Sequence, residues 1–405
     1  MKKALQLALG IITSVGGFFD IGNLVTSSQA GAAFGFQLLW ALLVGTVIVI
    51  FLIEMSGRFA AVTKKPIPAA VREHFGVRAW LPPFGVLVVL HLLTLAAEIG
   101  GMCIALQLVT GISFRVWALP VGILTWLFLW RATFDAVEYS VALLGMITLA
   151  FAVAAVAHHP PVGDVLAGLV PSRPAEEPAR YWFLAVSIVG ALIAPFLFYF
   201  YSSGAIEDEW DKTYIWVNRG VSVIGMAFGA VITAGALIAS AMVFRPKGIG
   251  ADTLNQTALV LTEAFPYWGF ALFGVCLGIA CLGAALEVSL SLSYVVAQTF
   301  GWRWGASLPP HRDARFATIY TGAIALAALL LLTGIDPLKL TLVTMALNAA
   351  VLPVVAIPFL LLMNDRRLLK DHANGPLGNA VVTAVVALSF VLAVVSIPLL
   401  VLGGG

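Results

Sequence analysis

Charge is what this sequence has least of. Asp, Glu, Lys and Arg make up 10% of its 405 residues, against roughly 25% in a soluble domain. That shortage excludes a soluble enzyme. Cysteine is scarce too, and three residues cannot build a disulfide scaffold. A net charge of +2 leaves no basic field to hold nucleic acid. No Ser/His/Asp set, His-rich metal cluster or phosphate-binding loop is visible, so neither an enzyme nor a bound cofactor is expected. What the chain has in excess is apolar surface. Hydrophobic residues make up 61% of it and mean hydropathy is +1.02, which excludes disorder. The class left is an all-α, polytopic membrane protein.

A spanning helix takes about 20 mostly apolar residues. Eleven such runs lie near 7–28, 34–57, 80–108, 114–130, 138–158, 181–203, 217–244, 265–297, 315–334, 338–363 and 379–402. They are numbered here as spans 1 to 11. Span 4 is the weakest, being short and Trp-rich. The runs are too long for strands and lack period-two alternation, so a β-barrel is excluded. Span 1 continues into Asp20 and Asn23 with no cleavage site, so it reads as a span and not a signal peptide. Sixteen of the 22 Lys and Arg residues fall on the side that holds the amino terminus. By the positive-inside rule that terminus is expected in the cytoplasm, with the carboxyl terminus outside a cell inner (plasma) membrane. A monomer in the bilayer is expected.

Eleven spans divide as five plus five plus one. The expected organisation is a first repeat over 1–158, an extracellular loop over 159–180 and a second repeat over 181–363. Residues 364–405 supply a cytoplasmic loop and span 11. Many secondary transporters are inverted repeats whose first helix in each half is broken at the midplane, the LeuT-type arrangement. Spans 1 and 6 carry suitable interruptions. Span 1 reads Gly16-Gly17-Phe18-Phe19-Asp20-Ile21-Gly22-Asn23, and span 6 reads Gly190-Ala191-Leu192-Ile193-Ala194-Pro195-Phe196.

Three acidic residues lie deep in spans, where a carboxylate is costly unless paired, protonated or bound to a cation. Asp20 is flanked by glycines at the expected break, three residues before Asn23. Carboxylate, amide oxygen and unwound backbone carbonyls make an oxygen-rich site for a hard divalent cation; the alternative is an Asp that only caps a half-helix. Glu98 in span 3 is either a proton relay or a structural hydrogen-bonding group. Glu287 in span 8 either lines the inner exit or packs between helices. His91 in span 3 serves a proton path or is a satisfied core histidine. Cys103, Cys276 and Cys281 match no zinc spacing and read as packing residues. The run Glu207, Asp208, Glu209, Asp211 reads as a solvated helix end.

On these residues the sequence resembles the Nramp divalent-metal transporters, over essentially the whole chain. Where that family has Asp-Pro-Gly-Asn in its first span, this chain has Asp20-Ile21-Gly22-Asn23. Where the family has Ala-x-x-Met-Pro-His in its sixth span, the chain has Ala191-Leu192-Ile193-Ala194-Pro195-Phe196. Ala97-Glu98-Ile99-Gly100 is similar to the family's span-3 pattern. The departures are specific. The ligating Met is Ala194, the following His is Phe196, an acidic residue before the span-3 Glu is Leu95, and the paired span-9 arginines are reduced to Arg315. They are similar to the Nramp-related magnesium transporter branch, in which the Met is also Ala. The resemblance implies metal contacts from the side chains of Asp20 and Asn23 and the carbonyls of Gly17 and Ala191. Ala194 supplies space, Gly22 and Pro195 hold the breaks, and Asn348 is a candidate for a contact through water.

Chemistry points the same way. A thioether favours softer transition metals, and its loss suits a partly hydrated Mg²⁺, with Mn²⁺ also accepted. The expected function is import of divalent cations by alternating access at a midplane site, without tight proton coupling. The alternatives are a proton-coupled Mn²⁺/Fe²⁺ transporter, a symporter of organic solutes on the same fold, and a channel.

Overall fold

The computed structural model describes residues 19–402 apart from 173, 175, 176 and 311. Among the described residues every regular element is a helix. This is what a bilayer demands, because a helix satisfies its own backbone polar groups where no water can. Seven helices are long and apolar enough to cross a membrane. They are Leu39–Thr63, Val77–Thr110, Pro178–Glu207, Lys212–Lys247, Gly269–Phe300, Ala314–Leu332 and Pro337–Met363, which are spans 2, 3 and 6 to 10. Span 4 is Phe114–Arg131, and span 5 is Phe134–Gly145 continued by Leu149–Ala157 through one 3₁₀ turn. Span 11 is Pro376–Leu402, and Ile21–Phe34 is the second half of span 1. The first half of span 1, with Gly16 and Gly17, lies outside the described residues.

Some ends fall elsewhere than the hydropathy suggests. Span 2 runs to Thr63, not 57, where Lys64 takes a left-handed conformation (φ 57°) and its amide bonds Ala60 O. The apolar run stops at Arg58, but Arg58 does not leave the helix. It pairs with Glu54 one turn back at 3.0 Å and also donates to the carbonyl of His372 and to Asn374 Oδ1. A paired charge tolerates burial that a lone one does not. Span 7 begins at 212, before the expected 217, with a turn capped by the Asp211 side chain. It contains a five-residue π segment, Val221–Gly225.

Among the described residues two large apolar clusters fill the interior, with a small third one around Trp210. One gathers spans 3, 4, 5, 7, 8 and 9 around Phe19, Phe151 and Phe273. The other gathers spans 2, 6, 10 and 11 around Phe59, Phe198 and Phe359. Span 6 meets both at its interruption: Leu192, Ile193 and Phe198 belong to the second cluster, Ala194 and Phe196 to the first. Leu43, Val47, Val116, Ile123 and Val231 are exposed, as lipid-facing side chains must be in such a fold.

Glycine permits the closest approach. A Cβ on Gly31 of span 1 would collide with the Leu237 carbonyl and the Ala241 amide of span 7. We expect Gly31→Val to force the two helices apart and cost on the order of 2 kcal/mol, as overpacking does. A thermal unfolding midpoint in detergent equal to that of the unchanged protein would contradict this contact.

Candidate metal site at two helix breaks

Asp20 has an extended backbone (φ −118°, ψ −177°) and stands as the N-cap of Ile21–Phe34. Its Oδ1 accepts from the Asn23 amide at 2.7 Å and from Asn23 Nδ2 at 3.0 Å. Both of these bonds fall on Oδ1, and the Gly22 amide also lies near the carboxylate. Asn23 donates through its nitrogen, which turns its amide oxygen away from Asp20. Both residues are buried. The capping role weighed from sequence is thus present in the structure. Gly22 is not itself unwound; it is the second helical residue, and the interruption precedes it at Phe19 and Asp20.

Span 6 is two helices, Pro178–Leu192 and Pro195–Glu207, with Ile193 and Ala194 between them. The reason is local. Pro195 has no amide hydrogen, so the carbonyl of Ala191 loses its donor four residues on. Pro195 is at the same time a favourable first residue for the next helix. The Ala191 carbonyl thus lacks its helical donor in the last turn of the first half-helix, at a buried residue. Ala194 is buried and contributes only a methyl group.

Span 10 joins the two breaks through Met345. A Cβ on Gly22 would lie 2.5 Å from Met345 Sδ, and one on Gly190 would strike the Met345 carbonyl. Asn348, one turn on, turns its Nδ2 to Met345 Sδ at 3.9 Å. Met345 is fully buried. It was not foreseen from sequence, although its spacing from Asn348 puts the two on one helix face.

Glu98 is wholly buried on span 3 beside Asp20, near the Ile21 amide and the Cys281 side chain. Neither of its carboxylate oxygens makes a hydrogen bond of ordinary geometry. Seven residues earlier, His91 bonds Leu87 O and Ser291 Oγ. Glu287 is buried on span 8 between Cys281 and Ser291, the residues that meet Glu98 and His91. Leu95 is buried on span 3. Arg315 is remote from these groups in role: it lies over the Trp302 ring, 5.3 Å from the centroid. The acidic run after span 6 is not merely solvated. Glu207 accepts from the Tyr294 hydroxyl at 3.0 Å and from the Ala306 amide at 2.7 Å, which ties span 6 to span 8 and its loop. Among the described residues no three His, Cys, Asp or Glu side chains converge as a metal cluster. The breaks therefore offer one carboxylate, amide and carbonyl oxygens, and one thioether.

Sequence comparison matches residues 10–398 to the Nramp family model, natural resistance-associated macrophage protein-like. The chain belongs to the Nramp family. Among its relatives is the divalent metal cation transporter MntH of Klebsiella pneumoniae, 25% identical over 389 residues, covering 92% of this chain and 90% of the relative. Among solved structures it is similar to the Eremococcus coleocola manganese transporter in complex with an aromatic bis-isothiourea compound. The TM-score there is 0.78 at 19% identity, over 98% of this chain and 87% of that one. It is also similar to Mhp1, a nucleobase-cation-symport-1 family transporter, with TM-score 0.65 at 15% identity, over 98% and 91%. The Nramp chain is thus a multi-pass membrane protein of the LeuT-type fold, about eleven spans with spans 1 and 6 broken.

The cap and the charge of Asp20 can be separated. Asp20→Asn keeps a side-chain oxygen for the Asn23 amide, whereas Asp20→Ala keeps none. We expect Asp20→Ala to unfold more readily than Asp20→Asn by about 1 kcal/mol. Equal thermal midpoints for the two variants would mean that the cap contributes nothing.

Proposed function

We propose that this Nramp chain imports Mg²⁺, with Mn²⁺ as a second substrate, by alternating access at the breaks of spans 1 and 6. The observation that carries the reading is the pair of breaks itself. Asp20 stands at the head of one half-helix, and Ala194-Pro195 opens the other without a soft ligand on span 6. Asp20 supplies the charge and Asn23 a neutral oxygen. The carbonyls of Ala191 and Gly17 complete the set, Gly17 lying outside the described residues. Ala194 leaves room for retained water, which Mg²⁺ gives up reluctantly, and Asn348 approaches through such a water. The repeats run over 1–158 and 181–363, with the 159–180 loop outside, 364–405 closing the chain, and the amino terminus in the cytoplasm of the inner membrane. The unit is a monomer without a bound cofactor.

Proton coupling is not energetically required for uptake. A divalent cation moving inward gains about 4.6 kcal/mol per 100 mV of inside-negative potential, on the order of a thousandfold accumulation. One observation favours a second reading, proton-coupled Mn²⁺ or Fe²⁺ transport. Glu98 is buried beside Asp20, where it can exchange a proton as cation charge arrives, and Met345 brings a thioether to Gly22.

Uptake into dye-loaded proteoliposomes separates the two readings when internal pH is recorded with it. Under the first, Mg²⁺ enters without acidification and Asp20→Ala stops it. Ala194→Met should lower Mg²⁺ uptake relative to Mn²⁺ by about tenfold, as one added soft ligand favours softer ions. Mn²⁺ entry with acidification, and no Mg²⁺ entry, would replace the first reading by the second.

A further inference from the structure

Spans 4 and 9 pack side by side and leave two hollows along one seam. The first is a cavity of about 240 Å³ at the ends of the spans that carry Arg131 and Asp313. The second is a groove of about 170 Å³ farther along, walled by Gly122, Ile123, Ile324 and Ala328. They form one track. On span 4 the lining residues Leu119, Gly122, Trp126 and Trp130 follow at intervals of three and four, which keeps them on one helix face. On span 9 Asp313, Phe316, Tyr320, Ile324 and Ala328 do the same. Trp126 joins the spans by donating to Thr321 Oγ1 at 3.0 Å, and its ring lies 5.2 Å from that of Trp130. The track from Asp313 to Ala328 is about 22 Å long at roughly 1.5 Å per residue. Half of the bilayer's hydrocarbon is about 15 Å deep, so the track reaches through one leaflet and into its headgroup layer.

The two hollows differ in chemistry. The groove is apolar, and Leu119 and Ile123 on its wall are exposed. The cavity holds a buried carboxylate. Asp313, the residue that precedes span 9, is only 7% exposed. The Phe316 amide and the Arg303 guanidinium act on that carboxylate, yet its Oδ2 has no hydrogen-bond partner among the described residues. A buried acceptor without a donor is costly. Arg131 lines the same cavity and is exposed. One seam thus offers an acceptor for a cation, a donor for an anion and a bed for a hydrocarbon chain.

We infer that one phospholipid with a primary-amine headgroup binds along this seam. Its ammonium meets Asp313, its phosphate meets Arg131, and one acyl chain lies over Gly122. The headgroup follows from the donors. An ethanolamine ammonium carries three N–H groups, as a lysine does. A choline carries none, and a phosphoglycerol has no positive charge to set against the carboxylate. Occupancy bears on span 6. Gly305, Ala306 and Leu308 also line the cavity, and the Ala306 amide is the one that Glu207 accepts at the end of span 6. A lipid that fills the cavity therefore steadies the loop that holds this end. None of the lining residues belongs to span 1 or span 6, so the site stands whichever ion is carried.

The test is native mass spectrometry of the purified full chain with phosphatidylethanolamine, phosphatidylcholine and phosphatidylglycerol of matched acyl chains. One phosphatidylethanolamine should be held about tenfold tighter than either other lipid, the size of one hydrogen bond to a charged group. Asp313→Asn, which keeps an oxygen at the start of span 9, should erase that preference. Arg131→Gln should weaken binding of all three lipids, since each carries the phosphate. Ala325→Trp, at an exposed position in the groove, should weaken all three as well. Equal retention of the three lipids by the unchanged protein overturns the inference, and so does a phosphatidylethanolamine preference that survives in Asp313→Asn. A protein dimer that Ala325→Trp dissolves would also overturn it, because the seam would then seat a second copy of this chain.

Discussion

A bilayer core supplies no hydrogen-bond partners, and every interruption of a helix inside it must be repaired by the protein. The rest of this architecture follows from how spans 1 and 6 are repaired. At span 1 the free amides of a new helix start are met by the Asp20 side chain. At span 6 one amide is deleted outright by Pro195. Further along that half-helix, side chains of other spans reach its carbonyls: Ser291 bonds Phe196 O, and Ser56 bonds Phe198 O. Donors at the breaks are capped or removed. The surplus left is oxygen, and oxygen without donors is what a hard cation takes.

Close packing makes this surplus possible. Gly22 and Gly190 admit one residue of span 10 against both broken helices, Met345, by its side chain at Gly22 and by its carbonyl at Gly190. On the other side Phe19 meets Phe151 at 5.2 Å, and Phe151 meets Phe273 at 6.1 Å. This aromatic wall comes from spans 5 and 8 and begins one residue before Asp20. Apolar residues bound the site closely, and a charge placed there is screened little.

Much of this could be read before any coordinates. The number of spans followed from run length, since a helix must cross about 30 Å of hydrocarbon. The break in span 6 followed from Pro195, and the helix start at a buried Asp20 from a carboxylate among glycines in an apolar run. Span ends were less legible, because Arg58 looks like a stop signal until Glu54, His372 and Asn374 are seen to hold it. Glu207 looked solvated because its partners, Tyr294 and Ala306, lie 87 and 99 residues away. Met345 was missed for the same reason. A methionine or serine in an apolar span is locally unremarkable, and its meaning comes from which helix it meets.

That last point bears on how far a short motif describes a site. By the family pattern, this chain lacks a thioether at 194 and an imidazole at 196. Both chemical groups nonetheless reach the broken helices, from elsewhere. Met345 brings sulfur from span 10 to Gly22, and His91 brings an imidazole from span 3 to within one hydroxyl of Phe196 O. They are not equivalent to what was lost. Met345 Sδ packs on the span-1 side and is met by an Asn348 N–H, which draws on the lone pairs a soft metal would need. His91 is held off the half-helix by Ser291 and bonds Leu87 O on its own span. The sulfur and the imidazole that a single Met-Pro-His motif would put on one half-helix are here on spans 10 and 3.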